Sequence, residues 1–378
     1  MYMDFSTLIP ELIQGLANLT PGNLVMIAVA ATLIALAVVK QYEPVLLLPI
    51  GFGCLVANIP LTGMTDGEGL FGILYRAGIS TELFPLLIFI GVGAMIDFSP
   101  LLAMPRMALL GAAGQFGIFG TLILATLLGF PLNQAASIGV IGAIDGPTSI
   151  YVASQLAPEL LAPIAVAAYS YMSLVPIIQP PLMRLLTSRR ERRIRMAYAP
   201  RPVSRQALIL FPLVVTLIIG LLVPAATPLI SMLMLGNLLR ESGVVERLSN
   251  AAQNEVINVA TLFLGLTIGS TMGAESFLSL VTLQVLGLGL LAFVLDTVAG
   301  LLFGKVLALV SGGTVNPLIG AAGISAFPMA GRLAAKVALA EDPDNFILMH
   351  AMGANTAGQL GSVVAGGALL ALVSGILG

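Results

Sequence analysis

The sequence predicts an all-α polytopic membrane protein of two inverted structural repeats, each with about five spans and one broken, re-entrant segment. Three observations lead there. Of the 378 residues, 58% are apolar and only 9% charged, against roughly 25% charged in a soluble domain. Mean hydropathy is +1.04, and a water-soluble body of this size would have too few polar groups to cover its surface. The apolar residues fall into separate stretches of membrane-spanning length, and half of the basic residues gather in a single loop. With 16 basic against 18 acidic residues there is no basic excess to attract nucleic acid. The single cysteine, Cys54, allows no internal disulfide.

In chain order, residues 1–20 carry no basic residue, unlike a secretory signal. Phe5, Leu8, Ile9, Leu12, Ile13 and Leu16 recur at spacings of three and four, the stripe of an interfacial amphipathic helix; the plainer alternative is a helix packed on the protein itself. The first membrane repeat, 21–186, holds apolar stretches near 22–39, 44–60, 83–96, 107–128 and 161–185. The second, 207–378, holds stretches near 207–223, 225–239, 256–273, 279–308 and 356–376. Two further stretches, near 135–156 and 314–338, are interrupted by glycine, proline and polar residues.

The linker 187–206, with Arg184, contains eight of the sixteen basic residues and is therefore expected in the cytoplasm. If both broken stretches enter and leave on one side, every other basic residue except Arg76 also faces inward. Each half then has five spans, an odd number, so the halves must be inverted. FIGVGAM at 89–95 and FLGLTIG at 263–269 form a weak sequence echo of that symmetry. Inverted repeats with paired broken helices place an ion or substrate site near the midplane.

The first broken segment reads GVIGAIDGPTSIYVASQ (139–155). A charge such as Asp145 costs roughly 2.5–3.5 kcal/mol at mid-membrane. Gly146-Pro147 directly after it frees backbone carbonyls. A carboxylate, free carbonyls and the hydroxyls of Thr148 and Ser149 form a hard oxygen site suited to Na⁺ or a proton. A protonated Asp145 bonded to a neighbouring helix, with no ion, is the plainer alternative. The second broken segment, TVNPLIGAAGISAFPMAGRLAAK (314–336), repeats the device with Asn316-Pro317 and adds Gly320, Gly323 and Ser325. Ser325 can equally be interhelical glue. Arg332 can snorkel to water or pair with a carboxylate arriving from the cytoplasm.

Two other polar stretches can approach these segments: AAYSYMSLVPIIQPP (167–181), with Tyr169, Tyr171 and Gln179, and HAMGANTAGQ (350–359), with His350 and Asn355. A phenol near a cation can exchange a proton, although an intramembrane tyrosine more commonly only donates a hydrogen bond. Asp296, inside the long run 279–308, either lines the same cavity or marks a helix break. No P-loop, dinucleotide fingerprint, zinc-ligand cluster or lipidation signal is present.

These motifs together resemble the β subunits of sodium-pumping biotin-dependent decarboxylases, whose complexes act on oxaloacetate, methylmalonyl-CoA, glutaconyl-CoA or malonate. The likeness runs from EPVLLLPIGFG (43–53) and GVGAMIDFSPLL (91–102) through GAIDGPTSIY (142–151) and AVAAYSYMSLVPIIQPP (165–181). It continues through NPLIGAAGISAFPMAGR (316–332) to NFILMHAMGANTAGQ (345–359). By motif match, the resemblance implies Asp145 as an essential Na⁺ ligand and Tyr171 in proton and Na⁺ handling. Asn316, Gly320, Ser325 and Asn355 belong to the ion site or its pathway, with Arg332 and Ser325 near carboxybiotin.

It further implies a multi-pass protein of the inner (plasma) membrane that works with a carboxyltransferase/biotin-carrier subunit and a small single-span membrane subunit. A homotrimer of β subunits and contact with membrane lipid are implied as well. Its cofactors are Na⁺ and carboxybiotin carried on a partner, and oxaloacetate is the leading substrate on motif wording alone. The rival reading is a cation-coupled secondary transporter with no enzymatic role, which inverted repeats alone do not reject.

Overall fold

A computed structural model describes residues 14–197 and 203–377. The stripe expected of an amphipathic helix over 1–20 therefore lies almost wholly outside the described residues, Gln14–Ala17 being one helical turn at its end. The described chain is helical, with no strand among the described residues. Its longer helices are α1 (Pro21–Val39), α2 (Pro44–Ala57), α3 (Leu83–Met95), α4 (Phe116–Leu127), α5 (Gly146–Leu156) and α6 (Leu161–Leu186). They continue as α7 (Arg205–Leu222), α8 (Thr227–Ser242), α9 (Ile257–Ser270), α10 (Leu280–Val310), α11 (Met329–Glu341) and α12 (Leu348–Leu377).

Each of the ten apolar stretches coincides with a helix, but not all are full-length. Among the described residues, five segments are long and apolar enough to cross a membrane, or up to seven if two pairs bent by 58° and 60° each count as one. At ~1.5 Å per residue, the 14 residues of α2 fall short of the ~30 Å hydrocarbon core. The run 279–308, for which a break at Asp296 was one alternative, is the single uninterrupted helix α10 of 31 residues. Helix starts follow local chemistry. Thr20 and Asn23 form a reciprocal capping box ahead of Pro21 at the start of α1, and Ser204 accepts from the Ala207 amide at the start of α7.

The chain divides into two compact units, one comprising residues up to Phe84 with Asn258–Leu283, the other Pro85–Ile257 with the chain from Gln284 onward. In the first, α2 crosses α9 at two glycines. A Cβ on Gly53 would strike the Leu266 carbonyl and one on Gly269 the Ile50 carbonyl, so the backbones meet only because both side chains are hydrogen. Beyond the crossing, the Asn58 amide donates to the Met272 carbonyl at 2.9 Å.

In the second unit α3 crosses α8 in the same register: Gly93 faces the Leu233 carbonyl, and Gly236 the Ile90 carbonyl. There the Asn237 amide donates to the Ile96 carbonyl at 3.0 Å. Its core is apolar and contiguous, running from Ile118 and Tyr151 to Leu318 and Val363. A smaller cluster of Ile144, Val175, Phe293, Ile324, Ala326 and Ala330 wraps the two helix breaks.

Candidate functional site

All of the site lies in the second unit. Its first half is the break predicted at 135–156. A helix over Leu132–Gly139 tightens into a 3₁₀ turn, Val140–Ala143, after which Ile144 takes a left-handed φ of 53°. Asp145 is extended (φ −129°, ψ 98°) and sits at the N-cap of α5, with Pro147 in the first turn, where its missing amide hydrogen costs nothing. Beside Asp145, Gly146 lies flat against the Tyr169 ring, leaving no room for a side chain.

The Asp145 carboxylate is buried at 6% exposure, and three donors converge on its Oδ2. These are the Thr148 hydroxyl at 2.6 Å, the Gln359 amide at 2.9 Å and the Ser362 hydroxyl at 3.2 Å, whose one proton is shared with the Gln359 backbone carbonyl at 2.9 Å. Hydrogen bonds to a carboxylate are worth about 1.5–3 kcal/mol each, and the positive end of α5 adds to them. Three donors therefore offset much of the cost of a charge at this depth. Ser149, also expected to contribute its hydroxyl, donates instead to the Asp145 and Val140 carbonyls at 3.0 and 3.3 Å.

The second half is the break predicted at 314–338. Asn316 caps a 3₁₀ turn, Pro317–Gly323, its Oδ1 accepting from the Leu318 amide at 3.0 Å. The chain is extended at Ile324 and then bends and turns through residues 325–328 before α11 begins. Here the two breaks touch: the Ser325 amide donates to the Ala143 carbonyl at 3.3 Å, two residues before Asp145. The Ser325 hydroxyl donates to the Gly358 carbonyl at 3.0 Å, which also accepts from the Gln115 amide at 3.3 Å. The Asn355 amide donates to the Ile324 carbonyl at 2.6 Å. Its Oδ1 is buried with no hydrogen-bond partner among the described residues.

Of the residues singled out from the sequence, Asp145, Ser325 and Asn355 are thus gathered around the two breaks. Asn316 and Gly320 belong to the start of the second break but face away from Asp145's donors, and Tyr171 and Arg332 lie elsewhere in the same unit. Gly320 packs against the α10 backbone at Gly300 and Gly304. Asn316 points to the basic loop, its amide donating to the Arg192 and Ile194 carbonyls at 3.0 and 2.9 Å. Tyr171 is buried and its hydroxyl donates to the Leu286 carbonyl of α10. Arg332 is exposed near the start of α11.

Gln359 and Ser362 were not singled out for the site. Their signal was spacing, since Asn355, Gln359 and Ser362 recur four and three residues apart on one face of an apolar helix.

Ser188 caps a turn over Arg189–Arg192 at the start of the basic loop. Arg192, only 6% exposed, pairs with Glu341 at 2.7 Å, and Arg195 pairs with Asp342 at 2.7 Å. The Arg192 hydrogen bond holds the Glu341 carboxyl below its ordinary value, and the Arg195 hydrogen bond does the same to Asp342.

No group of three or more His, Cys, Asp or Glu among the described residues could hold a metal ion. The donor set is one carboxylate with neutral oxygens, a combination suited to a weakly held monovalent cation or a proton rather than a soft metal. Comparison with known proteins decides between the classes of protein that could carry it. The family model of the Na⁺-transporting oxaloacetate decarboxylase beta subunit matches residues 22–373. The chain belongs to this family.

Among its relatives, the methylmalonyl-CoA decarboxylase subunit beta of Veillonella parvula is 55% identical over 96% of both chains. The glutaconyl-CoA decarboxylase subunit beta of Acidaminococcus fermentans is 53% identical over 96% of both. The oxaloacetate decarboxylase beta chain 2 of Salmonella typhi is 47% identical over 95% of this chain and 97% of the relative. These β subunits are named for three different substrates, so the likeness does not single out oxaloacetate as motif wording had suggested. In this β subunit the helical membrane architecture and the paired helix breaks agree with the expectation drawn from the sequence.

Proposed function

We propose that this β subunit decarboxylates carboxybiotin presented at its cytoplasmic face by a biotin-carrier subunit. It couples that reaction to outward export of Na⁺ and to consumption of a proton drawn from outside. The observation that carries the reading is the Asp145 carboxylate, held at a helix break by three donors in a member of a Na⁺-transporting family. Na⁺ binds there against Asp145, with Ser325 of the neighbouring break and the Asn355 Oδ1 of α12, which has no partner among the described residues, as neutral oxygens. Asn316 and Gly320 serve this site by shaping the second break. Exposed Arg332, two turns beyond Ser325, pairs with the carboxylate of carboxybiotin. Tyr171 handles a proton on the same route.

Each charge moved against 100 mV requires about 2.3 kcal/mol, so a decarboxylation releasing several kcal/mol can export one or two ions. The basic loop faces the cytoplasm by the positive-inside rule. The acid decarboxylated by the whole complex is set by the carboxyltransferase subunit. A small single-span subunit and a trimer of β subunits complete the assembly in the inner membrane.

Two inverted repeats give this arrangement its symmetry. Supporting that reading, exchanging the halves of the chain turns the α2–α9 crossing into the α8–α3 crossing. The glycine register and the amide-to-carbonyl closure of Asn58 and Asn237 survive the exchange.

The test is Asp145→Asn in the reconstituted complex. Na⁺-stimulated decarboxylation and Na⁺ transport are both expected to vanish, and wild-type activity would refute the assignment. Carboxybiotin turnover indifferent to this subunit and to Na⁺ would instead favour a plain cation-coupled transporter.

A further inference from the structure

Asp296 is the other acid buried in this unit, and the cation site described above makes no use of it. It lies mid-way along α10 at 0% exposure. Its Oδ1 accepts from the backbone amide of Gly117, the second residue of α4, one of the first-turn amides that a helix cannot satisfy within itself. That capping role employs one oxygen only, and an asparagine would perform it equally well. The second oxygen is what distinguishes an aspartate here. Oδ2 is buried and has no hydrogen-bond partner among the described residues. It faces the 3₁₀ turn Val140–Ala143, where a Cβ on Gly142 would lie 3.0 Å from it. The same turn delivers Asp145 three residues later, so the two acids flank one piece of backbone.

Their surroundings differ in kind. Asp145 receives three side-chain donors and is solvated as an anion. Asp296 receives a single amide, and an anion with one donor in an apolar interior is strongly disfavoured against its neutral acid. Among the described residues no ion pair reaches it. Among the elements that meet α10 near Asp296, α4 and the Pro317–Gly323 turn carry no titratable residue. The titratable and charged groups on the rest are Asp145 after the 3₁₀ turn, Tyr169, Tyr171 and Arg184 on α6, and Lys305 on α10 itself. Lys305 is engaged with Glu191 at 3.4 Å. Two acids whose environments drive their protonation apart are the usual mark of a divided acid–base task.

We propose that Asp296 is a proton-binding site distinct from the Asp145 cation site, and that it stores the proton consumed when carboxybiotin loses CO₂. In that step the N–C bond of the carbamate breaks, CO₂ leaves, and the ureido nitrogen takes up one proton. Asp296 supplies it through the intervening site and is reprotonated from outside. The storage role rests on the proposed function, whereas the protonated state does not.

Infrared spectroscopy of the purified full-length protein tests the protonated state directly. Near pH 8 exposed carboxyls are ionised, and Asp145 and Asp296 are the only buried acids among the described residues. A protonated-carboxyl C=O band is expected in wild-type and Asp145→Asn protein and not in Asp296→Asn. Absence of the band from Asp145→Asn protein overturns the proposal, whether or not Asp296→Asn folds.

In the reconstituted complex, Asp296→Asn is expected to slow carboxybiotin turnover at least about a hundredfold, the lower end for a lost proton-transfer group. It should also remove the dependence on outer pH while leaving Na⁺ binding to the resting protein within about twofold. Unchanged turnover and pH profile would overturn the storage role. If wild-type protein shows the band yet no Na⁺-linked turnover, the proposed function fails and the proton site stands.

Discussion

Gln359→Leu isolates one of the three hydrogen bonds on Asp145. The side chain is 3% exposed and donates to Oδ2 at 2.9 Å, and leucine keeps most of its volume without the amide. A hydrogen bond to a charged group contributes about 1.5–3 kcal/mol, and 1.4 kcal/mol is about a factor of ten in affinity. Losing this donor should therefore weaken Na⁺ binding roughly ten- to a hundredfold, because the carboxylate that attracts the ion becomes harder to keep charged. A less stabilised anion is also more readily neutralised by a proton. The loss should grow as pH falls, which a merely mechanical defect would not produce. The assay is equilibrium binding of radiolabelled Na⁺ to purified protein over a range of pH, with thermal stability measured in parallel. An Na⁺ half-saturation within about twofold of wild type at every pH would refute the reasoning, since a charge-assisted bond cannot be lost at so little effect.

Other expectations follow from the loop and the crossings. Glu341 and Asp342 are held below their ordinary values of 4.5 and 3.8 by Arg192 and Arg195. The docked loop thus binds fewer protons than the released one. Its docking is complete above those values and weakens as pH falls through the lowered ones. A spin label at the exposed position 190 should gain mobility on acidification, and the Glu341→Gln/Asp342→Asn variant should lack that transition. Gly93→Leu would drive a side chain into the Leu233 carbonyl. It should lower stability by at least the 1–3 kcal/mol typical of overpacking, about that order, read as thermal unfolding in detergent. Gly287→Ala, with nothing within 4 Å of its added methyl, should be neutral or stabilising by up to about 1 kcal/mol.

Periodicity and hydropathy made the helices legible because each apolar stretch had to bury or face lipid along its length. The breaks were legible from Pro147 and Pro317, which follow Gly146 and Asn316. Asp145 stood out because a charge in such surroundings needs a reason. What stayed hidden was which neutral side chains supply that reason. Gln359 and Ser362 carry no charge, and their closeness to Asp145 depends on how α12 passes the first break, over 200 residues away in sequence. Asn316 shows the same limit from the other side. Its motif suggested an ion ligand, yet both of its amide hydrogens are engaged by the basic loop, a contact no local pattern announces. The continuity of α10 was equally unreadable: a largely apolar run of 31 residues exceeds a single span, and only packing decides whether such a run bends or tilts.

The attachment of Asn316 to the loop ties the start of the second break to an arginine-rich segment. Two of its hydrogen bonds end on the Arg192 and Ile194 carbonyls, and the third fixes the turn leading to Ser325. Asn345 grips the Arg192 carbonyl as well, at 2.8 Å. Displacing this loop from its seat would therefore release the start of the second break. One short peptide segment thus links the basic loop to the backbone that carries Ser325.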